Sequence, residues 1–213
     1  MNTRYLILLA GLLILSGCID IVIEEQVDRE GNAVIKQTFY LERFVSLLAE
    51  MNESVDKEQL FQEMVEPWEK SCALANLDYN YTEMLENISE CGVIEEEMAV
   101  YFVTKPVPVE TFNQSFEKKE ELFFTYYILT VPGIEDASSE MEAYLNLTYY
   151  ITMPGEIKET TAGEVLNKSS VKLTIGDLAE DVVIKSKELN ILPILILVVV
   201  IGLIVVLVVL KRK

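Results

Sequence analysis

Histidine is absent from all 213 residues. With it go the commonest general base and the Ser–His–Asp and Cys–His arrangements of nucleophilic hydrolases. Glycine occurs nine times and never in a cluster, which leaves neither a phosphate-cradling loop nor a dinucleotide fingerprint. Basic residues are scarce, 17 against 35 acidic ones. A chain of that balance does not seek nucleic acid, nor is it drawn to an anionic lipid surface by charge alone. Internal repeats and low-complexity tracts are also lacking, so the chain is not a solenoid.

The mean hydropathy of +0.27 is high for a chain that is 24% charged. Segregation reconciles the two. Arg4 is followed by an uncharged stretch from Tyr5 to Leu15 and then Ser16-Gly17-Cys18, the parts of a secretory signal over residues 1–17. Leu15-Ser16-Gly17-Cys18 also resembles a lipobox, which makes Cys18 the expected lipidation site. The bland alternative is an ordinary signal, or an uncleaved anchor, that happens to hold a cysteine. At the other end Ile191 to Leu210 carries no charge, and Lys211-Arg212-Lys213 follows at once. Twenty residues at 1.5 Å each match a hydrocarbon core of about 30 Å. The reading is therefore a transmembrane helix over 191–210 with a cytoplasmic basic tail at 211–213. Between the two ends, residues 18–190 hold 13 basic and 35 acidic residues, a net charge of −22. They form the expected extracytoplasmic domain at the cell membrane.

Ten asparagines occur, and six stand in Asn-x-Ser/Thr sequons: Asn52, Asn80, Asn87, Asn113, Asn146 and Asn167. Serine and threonine are only about a tenth of the chain, so chance would give about one. The excess predicts glycosylation on an exported surface. With Cys18 assigned to processing, Cys72 and Cys91 are the natural disulfide of an oxidising compartment. The alternative is two buried free thiols, and two lone cysteines cannot build a structural zinc site. Glu95-Glu96-Glu97 could help hold Ca²⁺ but lacks the spaced oxygen ligands of a dedicated loop; a solvated charge run is the better reading. No metal and no cofactor is implied.

Ile19, Ile21 and Ile23 alternate with Asp20, Val22 and Glu24, which predicts a half-buried strand. A turn over Asp28–Asn32 returns Ala33 to Tyr40 as its hairpin partner. From 41 to 51 the spacing of Leu41, Phe44, Val45, Leu48 and Met51 is helical. Asp56 can cap a second helix with the stripe Leu60, Phe61, Met64, Val65 and Trp68. A weaker helix is expected over Thr82 to Ile88. Strand patterns resume at Met98–Phe102, Leu122–Val131, Ala143–Met153, Val171–Ile175 and Val182–Ile184. The order predicts an α+β domain, an antiparallel sheet with a helical insertion packed on one face.

Tyr149-Tyr150-Ile151-Thr152-Met153-Pro154-Gly155-Glu156-Ile157, followed by Val171-Lys172-Leu173-Thr174, resembles the Met-Pro-Gly strand-turn-strand of LppM-type envelope proteins. The opening Leu15–Ile19, the turn at Gly31 and the layout of signal, ectodomain, C-terminal span and basic tail fit that family as well. The chain departs from it at Leu173, where the family often has a tryptophan, and in its sequons and cysteine-bearing helical insert. The resemblance implies an envelope protein whose outer domain binds lipid or glycolipid, with no catalytic residue to carry over. Lipidation, sequons and acidity together suggest an archaeal-like envelope. The expected function is a non-catalytic, membrane-anchored surface protein whose partners are membrane lipid and a lipid, glycolipid or envelope-protein ligand. The alternatives are an accessory or scaffold subunit of a membrane complex, or a carboxylate-dependent hydrolase, which needs a pair of acids flanking the bond it cuts.

Overall fold

The computed structural model describes residues 19–51, 56–75, 87–134 and 146–211. The signal segment 1–17, Cys18, Asn52, Asn80 and most of the weak helix expected over Thr82–Ile88 lie outside those residues. Its last residue, Ile88, opens a strand instead.

Strands β1 (Asp20–Val27) and β2 (Asn32–Tyr40) form the expected antiparallel hairpin, with Asp20 opposite Tyr40 and Val27 opposite Ala33. Its turn is local chemistry. The Asp28 carboxylate accepts hydrogen bonds from the backbone N–H of Glu30 at 2.9 Å and of Asn32 at 2.8 Å. Gly31 takes the left-handed conformation at φ +81°, which glycine adopts without a steric penalty. Two helices follow, α1 (Glu42–Met51) and α2 (Lys57–Ala75), the second running through Pro67. The chain then returns as β3 (Ile88–Ile94), β4 (Ala99–Thr104) and β5 (Val107–Pro108). Next come β6 (Ser115–Glu120), β7 (Phe124–Val131), β8 (Asn146–Thr152), β9 (Glu156–Thr160), β10 (Glu164–Val165), β11 (Ser170–Thr174) and β12 (Val182–Leu189). Helix α3 (Ile191–Lys211) follows β12 after one residue.

The first sheet has the order β10-β11-β8-β1-β2-β4-β3, with β5 also paired to β2. The second has the order β6-β7-β12-β9. Their facing sides make the main core. Val27, Ala33, Tyr149, Ile151, Val171 and Leu173 of the first meet Tyr127, Leu129, Ile157, Val182 and Ile184 of the second. Helices α1 and α2 fill the far end, where Val45, Phe61 and Val65 pack with Val100, Phe39 and Val93. The helical stripe of α2 is therefore core.

This architecture corrects the expected α+β class. Among the described residues the domain is mostly β, with three α-helices and two sheets, neither closed on itself. The helices cover only the β2-β4-β3 end, because the strands after residue 114 supply a second apolar sheet face that covers the rest. The first sheet is not purely antiparallel either, since β1 and β8 pair in parallel with Ile23 opposite Tyr149. The expected transmembrane helix is corrected as well: among the described residues, no helix is long and apolar enough to cross a membrane.

Candidate functional site

The sequence-predicted positions scatter over the surface and one edge. Cys72 on α2 and Cys91 on β3 are joined as a disulfide, with their Cα atoms 5.7 Å apart. Beside it the Trp68 indole donates to the Gly92 carbonyl at 3.2 Å, so the helix is strapped twice to the same edge strand. Asn87 is half-buried in the turn before β3. Asn113 is exposed in a left-handed turn at φ 59°. Asn146 opens β8 and donates its side-chain amide to Asp20 at 2.8 Å. Asn167 is exposed, and its side-chain oxygen accepts from the Ser169 backbone N–H at 2.9 Å. Glu95–Glu97 form a single 3-10 turn with no buried residue. Among the described residues, no group of three acidic, histidine or cysteine side chains is arranged to hold a metal ion.

Sequence reading missed a polar cluster inside the main core. Glu25 is 2% exposed. It accepts hydrogen bonds from the Tyr149 hydroxyl and from Gln114 Nε2, the latter at 3.1 Å. Gln114 Nε2 also donates to the Tyr149 oxygen at 2.8 Å. The left-handed turn at Asn113 is what sends Gln114 inward. Burial pushes the Glu25 carboxyl above its ordinary range, against the two hydrogen bonds that favour its charged form. Burial pushes the Tyr149 phenol up too, and the neighbouring carboxyl adds to the rise. Among the described residues, Glu25 Oε1 and Gln114 Oε1 have no hydrogen-bond partner. A signal was available: Glu25 falls on the same strand parity as Ile21, Ile23 and Val27. A closed group of one carboxyl, one phenol and one amide suits holding a proton and fixing a strand register. It does not put two acids across a cleft, since Glu24 points to the opposite face of β1.

On that opposite face lies an open groove of about 400 Å³, lined by Glu24, Gln26, Val34, Lys36, Tyr150 and Thr152 among others. Lys36 pairs with Glu24 at 3.4 Å across β1 and β2. An ion pair, an amide, hydroxyls and one aromatic ring suit a hydrogen-bonding ligand more than an alkyl chain.

The apolar surface is concentrated at one end. On α3, Ile191, Leu192, Leu195, Ile196, Leu197, Val198 and the large residues beyond them to Ile204 are all at least 46% exposed. Asn190, immediately before the helix, ties it to the β6–β7 turn. Its backbone N–H donates to the Phe123 carbonyl at 2.8 Å and its side-chain amide to the Glu121 carbonyl at 2.9 Å. Its side-chain oxygen accepts from the Thr125 hydroxyl at 2.8 Å. Arg29, in the β1–β2 turn, pairs with Glu188, which also accepts from the Tyr127 hydroxyl at 3.0 Å. Burial and that carboxylate push the Tyr127 phenol up to about 12. The Met153-Pro154-Gly155 turn closes the same end: the Ser186 hydroxyl donates to the Pro154 carbonyl at 2.6 Å.

No family model and no curated protein matches the chain. Among solved structures the chain is similar to the folded domain of LppM from Mycobacterium tuberculosis, determined by NMR. The identity is 5% and the TM-score 0.38, over 81% of this chain and 91% of that one. This is a distant likeness of fold alone, and the resemblance carried by Met153-Pro154-Gly155 is met only to that coarser extent.

Proposed function

We propose that the protein is a non-catalytic domain held at a lipid surface by its C-terminal end. The observation that carries the reading is the run of exposed large apolar side chains on α3 from Ile191 to Ile204. Contiguous apolar surface of this kind on an otherwise acidic chain marks a place that water does not normally cover. Flotation with vesicles of neutral phosphatidylcholine tests it. The full chain is expected to float with the vesicles. A variant carrying Leu195→Glu, Val199→Glu and Leu203→Glu is expected to stay in the aqueous fraction, with an unchanged circular dichroism spectrum from the β domain. A wild-type chain that stays behind would overturn the reading.

A second reading, a ligand site on the domain itself, is favoured by the groove beside Tyr150. Its donors and acceptors fit the sugar or other polar headgroup of a lipid. Native mass spectrometry of protein extracted from its own membrane should find a retained glycolipid that Tyr150→Ala loses. Equal retention by both would count against the groove.

A further inference from the structure

The β6–β7 turn lies beside the start of α3, and its composition is unusual for a solvent loop. Leu122 is 69% exposed, next to the half-buried Phe123 and Phe124. Leu189 and Ile191, at 50% and 64%, continue the patch onto the other side of Asn190. The Lys187 ammonium sits 3.5 Å above the Phe124 ring and 5.2 Å from that of Tyr126. Aromatic rings beside lysines at the end of an apolar helix are the composition of a membrane–water boundary, where an apolar body and a polar tip are both satisfied.

We infer that the turn Leu122-Phe123-Phe124 is a second lipid contact, pinned by Asn190 at the level where α3 meets the bilayer surface. The inference rests on the reading of α3 as lipid-facing and adds which part of the domain dips into the boundary. The occupant is lipid because of continuity: the three hydrogen bonds of Asn190 fix the turn to the helix, so one cannot enter the boundary without the other. Charge does not drive the contact. Lys118 pairs with Glu120 at 2.9 Å, Lys119 with Glu121 at 3.1 Å and Arg29 with Glu188. Lys187 rests on the Phe124 ring and the other three cations of the belt are paired, so the attraction is chiefly apolar and anionic lipid is not required.

Depth-dependent quenching by brominated phosphatidylcholine tests the contact on the full chain. Trp68 is the chain's one tryptophan, hydrogen-bonded at the far edge, and supplies a constant background. Three tryptophans are introduced one at a time: Leu122→Trp in the turn, Leu195→Trp on α3, and Ile134→Trp, which lies past the opposite end of β7. The expected result is a marked loss of emission for Leu122→Trp and Leu195→Trp and none for Ile134→Trp. Adding Asn190→Ala should restore emission at position 122 while position 195 stays quenched. Quenching at 195 without quenching at 122 overturns the hairpin contact and leaves the lipid reading of α3 standing. Quenching at neither overturns both. Quenching at all three would also overturn the hairpin assignment, because it would mean unspecific adsorption.

Discussion

Tyr149 donates its phenolic proton to Glu25 across the parallel pair β8–β1, in a space that both side chains share with Gln114 and not with solvent. Burial raises the carboxyl, so the folded chain keeps a proton that the unfolded chain gives up at lower pH. Glu25 therefore costs no stability below the ordinary carboxylate range, and its contribution falls as pH rises through the raised value. Glu25→Gln should remove that loss. At pH 7 the variant should be more stable than wild type, and the gap should close on acidification. Urea melts from pH 4 to pH 8 check it. A gap that does not change with pH would sink the assignment, whatever the stability at any one pH.

The same residue shows where sequence reading works and where it stops. The β1–β2 hairpin was legible because Ile21 and Ile23 alternate with polar partners and Asp28–Asn32 carries turn chemistry. Strands β7, β8, β11 and β12 were legible by the same alternation, although β12 extends to Leu189 rather than ending at Ile184. The pairing of β1 with β8 was not, because parallel partners more than a hundred residues apart leave no local mark. Strands β6 and β9 carry the charged sequences SFEKKE and EIKET because both are edges: β6 has no fully buried residue and β9 only Ile157. Missing them hid the second sheet, and with it the reason the helices cover so little. The apolar tail was obvious from composition, but its clamp to Glu121, Phe123 and Thr125 through Asn190 depends on tertiary placement alone.

The Cys72–Cys91 bridge closes a loop that contains all of the chain between α2 and β3, with 19 positions separating its ends. Replacing both cysteines by serine should lower stability by about 3 kcal/mol in the chain-entropy picture. Local consequences should come first. Trp68 loses the strap that holds it against Gly92, so its emission should shift to the red before the β domain melts. An unshifted tryptophan spectrum and unchanged stability would mean the bridge contributes nothing to holding α2.

Gly155 is the fixed point of the Met-Pro-Gly turn. It stands at φ +79°, and an added Cβ would lie 2.6 Å from the Lys187 carbonyl oxygen. Gly155→Ala therefore combines left-handed backbone strain with a clash against β12, and should cost about 1–3 kcal/mol. For a domain of this size that is a fall in melting temperature of about 2–4 °C per kcal/mol. Because β12 leads directly into Asn190, the variant should also loosen the β6–β7 turn, seen as faster amide exchange at residues 121–124. Wild-type melting would show that the turn has room that its geometry denies.

The four described sequons differ in the freedom of their side-chain nitrogens. Asn146 spends its amide on Asp20, and Asn87 is half-buried. Asn113 and Asn167 are exposed, and the hydrogen bonds of Asn167 use its oxygen rather than its nitrogen. Peptide mass spectrometry of protein from its native source should therefore find glycan at Asn113 and Asn167 at higher occupancy than at Asn146 or Asn87. The reverse order would mean that modification precedes folding and ignores the folded surface.

Strand β1 sets the attitude of the domain if the chain is acylated at Cys18 as well as lipid-bound through α3. Its far end, Val27, leads through the Arg29–Glu188 pair to the α3 end of the molecule. Its near end, Asp20, is seven residues back, about 23 Å away at the rise of a strand. Cys18 stands only two residues before Asp20, too little chain to span that distance. Two attachments to one bilayer therefore require β1 to lie nearly parallel to the surface rather than upright on the helix. Quenching by brominated phosphatidylcholine should reach a tryptophan introduced as Ile19→Trp in the acylated chain and fail to reach it once Cys18→Ser is added, with Leu122→Trp quenched in both. Equal quenching of Ile19→Trp with and without the acyl chain would mean that the C-terminal end alone holds the domain in place.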